Sequence, residues 1–420
     1  MERIRASEVA SHIGERVRIA GWRESLRRLG GIAFLTVRDG AGTVQCVGGG
    51  ELEGALGVAG NESVIEVEGL VAREAQAPGG VELRELRVTV ISPVSEPLPV
   101  TLGKKTLKAQ LPALLEHGVL TARHPTRRAV FKLGAMAMAA FRRALDARGF
   151  VEIQSPKLVG GATEGGANVF TVSYFGRNAY LAQSPQFYKQ AMVGVFERVY
   201  EVGPVFRAEP HDTTRHINEY VSLDVELGFI ENHFTVMRLL REVLAEMASA
   251  LGEPELVPAE IPHIHFEHAQ ELVATHVNAK ERGEPDLSPE GERWLGEWAK
   301  REHGSELLFV VGYPMRKRPF YTAPEPGRPE YSSSFDLLFR GTELVTGGQR
   351  LHRYEDYLDA LASRGLEPTA FAHYLEAFRF GMPPHGGFAI GLERFLMQLL
   401  GLPNIRLATL FPRDAHRLAP

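Results

Sequence analysis

Two neighbouring segments of this chain alternate in a way that paired β-strands satisfy and helices do not. In an extended backbone Val199, Glu201, Val205, Arg207 and Glu209 share one side, and Phe206 points the other way. On the returning segment Tyr220, Ser222, Asp224 and Glu226 fall together, while Val221, Leu223, Val225, Leu227 and Phe229 take the opposite side. The loop between them is rich in His, Asp, Thr and Arg. The pattern predicts an antiparallel hairpin, apolar behind and ionisable in front. Such a face suits a charged ligand, but also an ordinary surface hairpin with solvated charges. The hairpin alone does not choose between them.

The rest of the chain predicts an α+β architecture. Residues 1–98 contain short alternating runs at Arg16–Trp22, Ile32–Arg38, Thr43–Val47, Ser63–Arg73 and Leu83–Ile91, separated by glycine-rich turns. Five strands with a helical stretch near Glu53–Gly57 fit a small closed barrel of the OB type. Residues 99–126 read as a basic hinge. From Arg127 to Arg148 the apolar residues follow helical spacing, and Phe150–Ile153 resumes as strand. Helical pieces at about 234–304 suggest an insertion between two halves of a sheet, which returns at Glu306–Tyr313, Ser334–Phe339, Glu343–Thr346 and Gly387–Gly391. The whole of 127–420 thus predicts an antiparallel-sheet domain flanked by helices, not a doubly wound sheet.

Composition excludes several classes. No apolar run approaches a membrane span, and Met1-Glu2-Arg3-Ile4-Arg5 lacks the apolar stretch of a signal peptide. The single cysteine, Cys46, excludes an intrachain disulfide and a multi-cysteine zinc site, and fits a reducing cytoplasm. Net charge is −5, yet residues 101–150 hold ten Lys or Arg against Glu116 and Asp146. That segment could steer a polyanion or be a solvated helix face. No phosphate-cradling P-loop is present, and no Ser-His-Asp or Cys-His spacing demands a role.

Three further segments carry chemistry. Gly386-Gly387-Phe388-Ala389-Ile390-Gly391-Leu392-Glu393-Arg394 is an apolar strand running into a helix with Arg394 in its first turn, a place that favours anions. If Arg340-Gly341 is a tight turn, Leu338 pairs with Glu343 and Asp336 lies diagonally from it on the same face, close enough for both to ligate one divalent ion. Strict alternation from Glu343 would put Arg350 on the back of the sheet, so a bulge at Gly347-Gly348 is predicted to turn it inward. Two solvated carboxylates at a hairpin would look the same in sequence.

In order along the chain these segments resemble the motifs of class II aminoacyl-tRNA synthetases. The helix and strand from Arg127 to Pro156 resemble motif 1, which builds the family's homodimer; Val205 to Glu226 resembles motif 2, and Gly386 to Arg394 motif 3. The resemblance implies that Arg207 holds the α-phosphate of ATP, that Tyr220 and Arg394 enclose adenine, that Glu209, Arg215 and His216 meet the nucleotide, and that Asp336 and Glu343 hold Mg²⁺. Gln183-Ser184-Pro185-Gln186 with Lys189, followed downstream by Gly347-Gly348-Gln349-Arg350, resembles the aspartyl branch. There Lys189 and Arg350 would take the side-chain carboxylate of L-aspartate, and Glu164, Ser184, Gln186 and Asp224 would surround its ammonium. In the barrel, Arg27, Phe34, Gln45 and Glu82 resemble the family's anticodon-binding set, with Phe34 stacking on a base; by alternation alone Phe34 could equally fill the core.

The resemblance implies an aspartate–tRNA ligase of the shorter archaeal and eukaryal kind, acting on tRNA(Asp). Asparaginyl and lysyl relatives, or a synthetase-like RNA-binding protein without activity, are the alternatives. Lys189 with Arg350 opposes the first two, and the intact Arg207, Arg394, Asp336 and Glu343 oppose the third. Members strict for tRNA(Asp) tend to carry a bulky residue soon after the Gly21-Trp22 pair and a lysine in the last barrel loop. Here Glu24 and Pro78 stand there, which predicts an enzyme that also charges tRNA(Asn).

Overall fold

Alternation closes the N-terminal strands on themselves. A computed structural model describes residues 1–57, 59–104, 106–161 and 168–419. In it β1 (Arg16–Leu29), β2 (Ile32–Arg38), β3 (Thr43–Gly48), β4 (Val64–Arg73) and β5 (Val81–Ser92) form a closed barrel of order β1-β2-β3-β5-β4. Val17, Ile19, Leu35, Val37, Cys46, Ile65, Val67 and Leu83 fill it, together with Leu52 and Leu56 of helix α1 (Gly50–Leu56). This is the five-stranded OB-type barrel that the spacing predicts. Strand β1 runs on past Trp22 to Leu29, because its polar end pairs with β2 and has no apolar side to show as alternation. A bulge between Arg23 and Ser25 leaves Glu24 without a partner residue in this ladder. The chain divides into two compact units, residues 1–126 and 127–420, so residues 99–126 fall in the same unit as the barrel.

The second unit is built on an eight-stranded sheet. Its strands are β6 (Val151–Glu152), β7 (Arg198–Phe206), β8 (Glu219–Gly228), β9 (His263–His265), β10 (Leu307–Val311), β11 (Ser334–Phe339), β12 (Thr342–Gln349) and β13 (His385–Gly391), in the order β9-β10-β11-β12-β13-β8-β7-β6. Only the outermost pairs, β9–β10 and β6–β7, are parallel. The helices that flank it are α2 (Pro125–Asp146), α3 (Gln186–Phe196), α4 (His233–Ala250), α5 (Phe266–His276), α6 (Pro289–His303), α7 (Tyr354–Ala362), α8 (Ala372–Arg379) and α9 (Leu392–Leu400).

Helix α4 corrects the predicted insertion. Its Val236, Leu240, Val243, Leu244 and Met247 lie in the main core behind the sheet, with Phe141, Leu223, Val225 and Phe388. Only α5 and α6 form a separate layer, packing Val273, Leu295 and Ala299 on Leu308, Val310 and Leu338 at the front. Helical periodicity reveals that one face is buried, not what buries it. A second front layer joins Val199 of β7 to Val193, Tyr357, Tyr374 and Phe378. Between the two layers the floor is β13. Phe388 and Ile390 point back into the core, which leaves Gly387, Ala389 and Gly391 facing forward. Three small residues in a row keep the front open at that point.

Strand register bears out the hairpin at β11–β12 and relocates its bulge. Arg340 and Gly341 both have positive φ (50° and 70°), and Leu338 pairs with Glu343. The extra residue, however, is Leu344, since Leu337 already faces Val345; Gly347 and Gly348 pair regularly with Phe335 and Ser334. Leu344 and Val345 are consecutive and both enter the main core, which a regular strand forbids. The parity change is therefore made three residues early, and Arg350 turns inward as expected. The glycines answer a different need: a Cβ at Gly347 would lie 2.8 Å from the Gly387 carbonyl, and one at Gly348 2.7 Å from Ser334 Cα.

Where α9 begins, Glu393 is buried and accepts from the Val221 amide with its two oxygens at 3.2 and 3.1 Å. Burial pushes its carboxyl up from 4.5 to about 7. A raised carboxyl favours the fold while protonated; this contribution is complete below about pH 4.5 and is lost as pH rises through 7. Replacing Glu393→Gln is expected to leave stability unchanged at pH 4 and raise it at pH 8, by at most about 3 kcal/mol. Urea titrations at the two pH values check this, and a difference independent of pH would refute it.

Candidate active site

The front face of the hairpin holds charge as predicted, but under cover rather than in solvent. Asp224 and Glu226 on β8 are 1% and 0% exposed, because α3, α7 and α8 close over the lower half of the face. Lys189, one turn into α3, extends between them, with Nζ 3.0 Å from Asp224 Oδ1 and 3.4 Å from Glu226 Oε2. Arg350 enters from the end of β12, its Nε donating to Glu226 Oε1 at 2.9 Å and its Nη2 to the Gly387 carbonyl at 3.1 Å. Glu226 thus bridges two buried cations, and the quartet is neutral. Burial would raise the Glu226 carboxyl, but Arg350 and Lys189 outweigh it and hold it below the usual range. Burial would lower the Arg350 guanidinium, and Glu226 raises it instead.

Around the quartet lies a neutral polar shell. Gln190 reaches Tyr357 Oη (3.2 Å) and the His385 ring (3.0 Å), and accepts from Tyr374 Oη at 3.0 Å. Burial pushes His385 down to about 4, so it adds no charge near neutrality. Ser222 donates to Asp224 Oδ2. Ser184 and Gln186 are buried at the start of α3, but their polar groups are engaged locally: Ser184 Oγ accepts the Gln186 amide at 3.0 Å, and Gln186 Nε2 donates to Gln190 at 2.9 Å. Glu164 lies outside the described residues.

Toward the open end of the floor the residues become arginines and carboxylates. The Arg207 guanidinium lies 5.8 Å from the Tyr220 ring centroid. Asn218 Nδ2 donates to the Arg207 and Glu209 carbonyls (2.7 and 3.0 Å), which sets the exit of β7. A Cβ at Gly391 would be 3.8 Å from both the Tyr220 ring and Arg394 Cβ, so the two side chains flank this glycine at van der Waals distance. Arg394 donates to the Glu343 carbonyl at 2.9 Å and lies 3.8 Å from its carboxylate. Burial lowers the His216 imidazole, with Arg394 adding to the effect, so it is neutral near pH 7.

Asp336 and Glu343 share the front face. Asp336 is buried against Arg318 at 2.9 Å; Glu343, with a side chain 40% exposed, accepts from Thr346 Oγ1 at 3.1 Å. Burial drives Asp336 upward; in Glu343 the same effect is overcome by Arg394 and Arg318, which hold it down. Glu292 of α6 stands behind them, 3.3 Å from Arg215, and burial with the Glu343 charge pushes it up to about 7. Hard oxygen donors of this kind suit Mg²⁺, with further positions left to water or phosphate oxygens.

On the barrel Phe34 faces outward, because Ala33, Leu35 and Val37 take the core. Arg27 pairs with it across β1–β2 and sits 5.9 Å from its ring. Gln45 joins this outer face through Thr36. Glu82, predicted to meet a base, is 3% exposed and accepts from Gln45 Nε2 (3.0 Å) and Arg84 Nε (2.7 Å), so it orients Gln45 from below.

Sequence reasoning assigned no role to Glu226, Glu292 or Arg318. Glu226 was within reach, since it shares the parity of Asp224. Glu292 and Arg318 come from a helix and a turn whose position no local pattern reveals.

Comparison with known proteins identifies the family. Residues 111–415 match the family described as tRNA synthetases class II (D, K and N), and residues 17–91 match the OB-fold nucleic acid binding domain. An aspartate–tRNA(Asp/Asn) ligase of Thermus thermophilus is 48% identical, with all of both chains covered. An aspartate–tRNA(Asp) ligase of Pyrococcus horikoshii is 39% identical, with 97% of each covered. Among solved structures, asparaginyl-tRNA synthetase from Pyrococcus horikoshii complexed with asparaginyl-adenylate superposes with a TM-score of 0.92 at 32% identity over the full length of both.

Replacing Glu226→Gln leaves two buried cations facing one carboxylate. It is expected to cost roughly 3–5 kcal/mol of stability. Adding Arg350→Met to that variant should recover part of the loss, and thermal denaturation of the single and double variants tests the coupling.

Proposed function

The chain belongs to the class II tRNA synthetases of the aspartate, lysine and asparagine group and is an aspartate–tRNA ligase; we propose that Lys189 and Arg350 select its amino acid. Their burial as a pair on Glu226 is the observation that carries this reading. Aspartate and asparagine have nearly the same shape, so a steric pocket cannot separate them. Two cations can, because the neutral amide of asparagine leaves buried positive charge unanswered. Asp224, held by Lys189 and Ser222, is placed to meet the substrate ammonium.

The chemistry asks for position and charge, not a protein nucleophile. An oxygen of aspartate's α-carboxylate attacks the α-phosphorus of ATP, and pyrophosphate leaves. Arg207 stabilises charge on the α-phosphate; Arg215 and His216 hold the outer phosphates, and Tyr220 and Arg394 enclose the base. Mg²⁺ held by Asp336 and Glu343 would offset phosphate charge. The 3′-terminal ribose hydroxyl of tRNA then attacks the aspartyl carbonyl, and AMP leaves. Phe34, Arg27 and Gln45 form the anticodon surface, with Phe34 offering a ring to a splayed base.

Two finer points belong to the same proposal. Glu24 at its bulge and Pro78, in a turn before β5, leave tRNA(Asp) and tRNA(Asn) undistinguished, and the Thermus relative is named for both. The enzyme works in the cytoplasm as a homodimer through α2. Two guanidinium nitrogens of Arg127, buried near the start of that helix, have no hydrogen-bond partner among the described residues, and Met136 on it is 45% exposed.

ATP–pyrophosphate exchange should proceed with aspartate and not with asparagine; the reverse would overturn the assignment. Lys189→Met should lower kcat/KM for aspartate by about 100-fold or more, equivalent to roughly 2.7 kcal/mol. Purified tRNA(Asp) and tRNA(Asn) should both accept aspartate, and failure of the second would end the proposal of dual specificity.

A further inference from the structure

The loop between β7 and β8 carries a second set of ligands that the reaction above does not use together. Among the described residues, Glu209, His211 and His216 have ligand atoms that all lie within 4.8 Å of one another. The two rings stand 5.3 Å apart between centroids, and His211 Nδ1 is 3.7 Å from Glu209 Oε2. Three nitrogen and oxygen donors on a metal at roughly 2.0–2.2 Å would be about 3.3 Å from each other. Small rotations of the exposed His211 and the part-buried Glu209 and His216 close that difference.

The surroundings already fix much of the set. Thr213 Oγ1 lies 2.6 Å from His216 Nδ1, which orients the ring and leaves Nε2 for a ligand. The Glu209 carbonyl is held by Asn218. Arg406 grips the loop in between, through Asp212 (2.7 Å) and the Thr213 carbonyl (3.1 Å). Two imidazoles and one carboxylate prefer a borderline metal over Mg²⁺, whose hard-oxygen site is at Asp336 and Glu343. Three protein donors with a fourth position open describe an exchangeable site, not a structural one.

We infer that Glu209, His211 and His216 bind a borderline divalent cation, Zn²⁺ being the representative, and that this metal and ATP exclude each other. The metal site stands on the three side chains alone. The exclusion rests on the placing of Glu209 and His216 against the nucleotide, since a metal would withdraw both. Arg215 and Arg394 nearby weaken the site, so binding is reversible. Free zinc would then raise the KM for ATP.

Full-length protein stripped of metal should bind one equivalent of Co²⁺ or Zn²⁺ at this loop, followed by Co²⁺ absorption and by calorimetry with Zn²⁺. His211→Ala, at a residue that the nucleotide does not need, should weaken binding by on the order of tenfold or more and keep Mg²⁺-dependent exchange. His211→Cys should retain Co²⁺ and gain a thiolate-to-cobalt charge-transfer band, because Cys46 is fully buried. Unchanged Zn²⁺ affinity in His211→Ala, or no such band in His211→Cys, overturns the metal site. Co²⁺ that binds as expected but is not displaced by ATP leaves the metal site standing and overturns the exclusion.

Discussion

Two cations packed side by side in a dry interior repel each other strongly, and Glu226 is what lets Lys189 and Arg350 coexist. The carboxylate touches both, at 3.4 and 2.9 Å, and Asp224 completes the balance. Much of the architecture exists to keep this arrangement under cover. The aromatic layer of α7 and α8 seals the front, and the neutral shell of Gln190, Tyr357, Tyr374 and His385 satisfies polar atoms without adding charge. A preformed neutral quartet can exchange one internal partner for a substrate carboxylate, which is less costly than assembling cations on demand.

The same sheet separates two tasks by row. The row through Glu201, Asp224, Ala389, Thr346 and Asp336 runs across five strands, and the row through Val199, Glu226, Gly387, Gly348 and Ser334 lies one step below it. Small residues of β13 sit in the middle of both. A ligand on that strand therefore reaches the ion quartet on one side and the Asp336–Glu343 pair on the other. The floor is defined as much by absent side chains as by charged ones.

What was legible in the sequence follows a physical division. Faces of strands are readable, because period two places Asp224 opposite the core that Leu223 and Val225 enter. The hairpin turn at Arg340-Gly341 was readable from its residue types, and so was the pairing of Leu338 with Glu343. Burial of the charged face was not, since most of the layer that covers it comes from residues 320–382, remote in sequence. Helix α4 looked like inserted material for the same reason. Glu82 shows the reverse error: the residue type fits base recognition, but Gln45 and Arg84 already occupy its carboxylate. Local patterns give direction; which groups meet is set by long-range packing.

The bulge at Leu344 shifts strand β12 by one residue in phase. Upstream of it Glu343 faces the front, and downstream Thr346 and Arg350 face the same way because the bulge absorbs the added residue. Removing Leu344 alone would leave Val345 as the single residue between Glu343 and Thr346, so the strand would alternate regularly and Arg350 would still face forward; straightening the bulge with Leu344 retained would instead send Arg350 toward the apolar core. Related chains can therefore lose this one residue without moving the site, whereas any other single-residue change along the strand needs a bulge of its own. One residue of slack thus sits between the Asp336–Glu343 pair and the ion quartet, and the two stay in phase with it or without it.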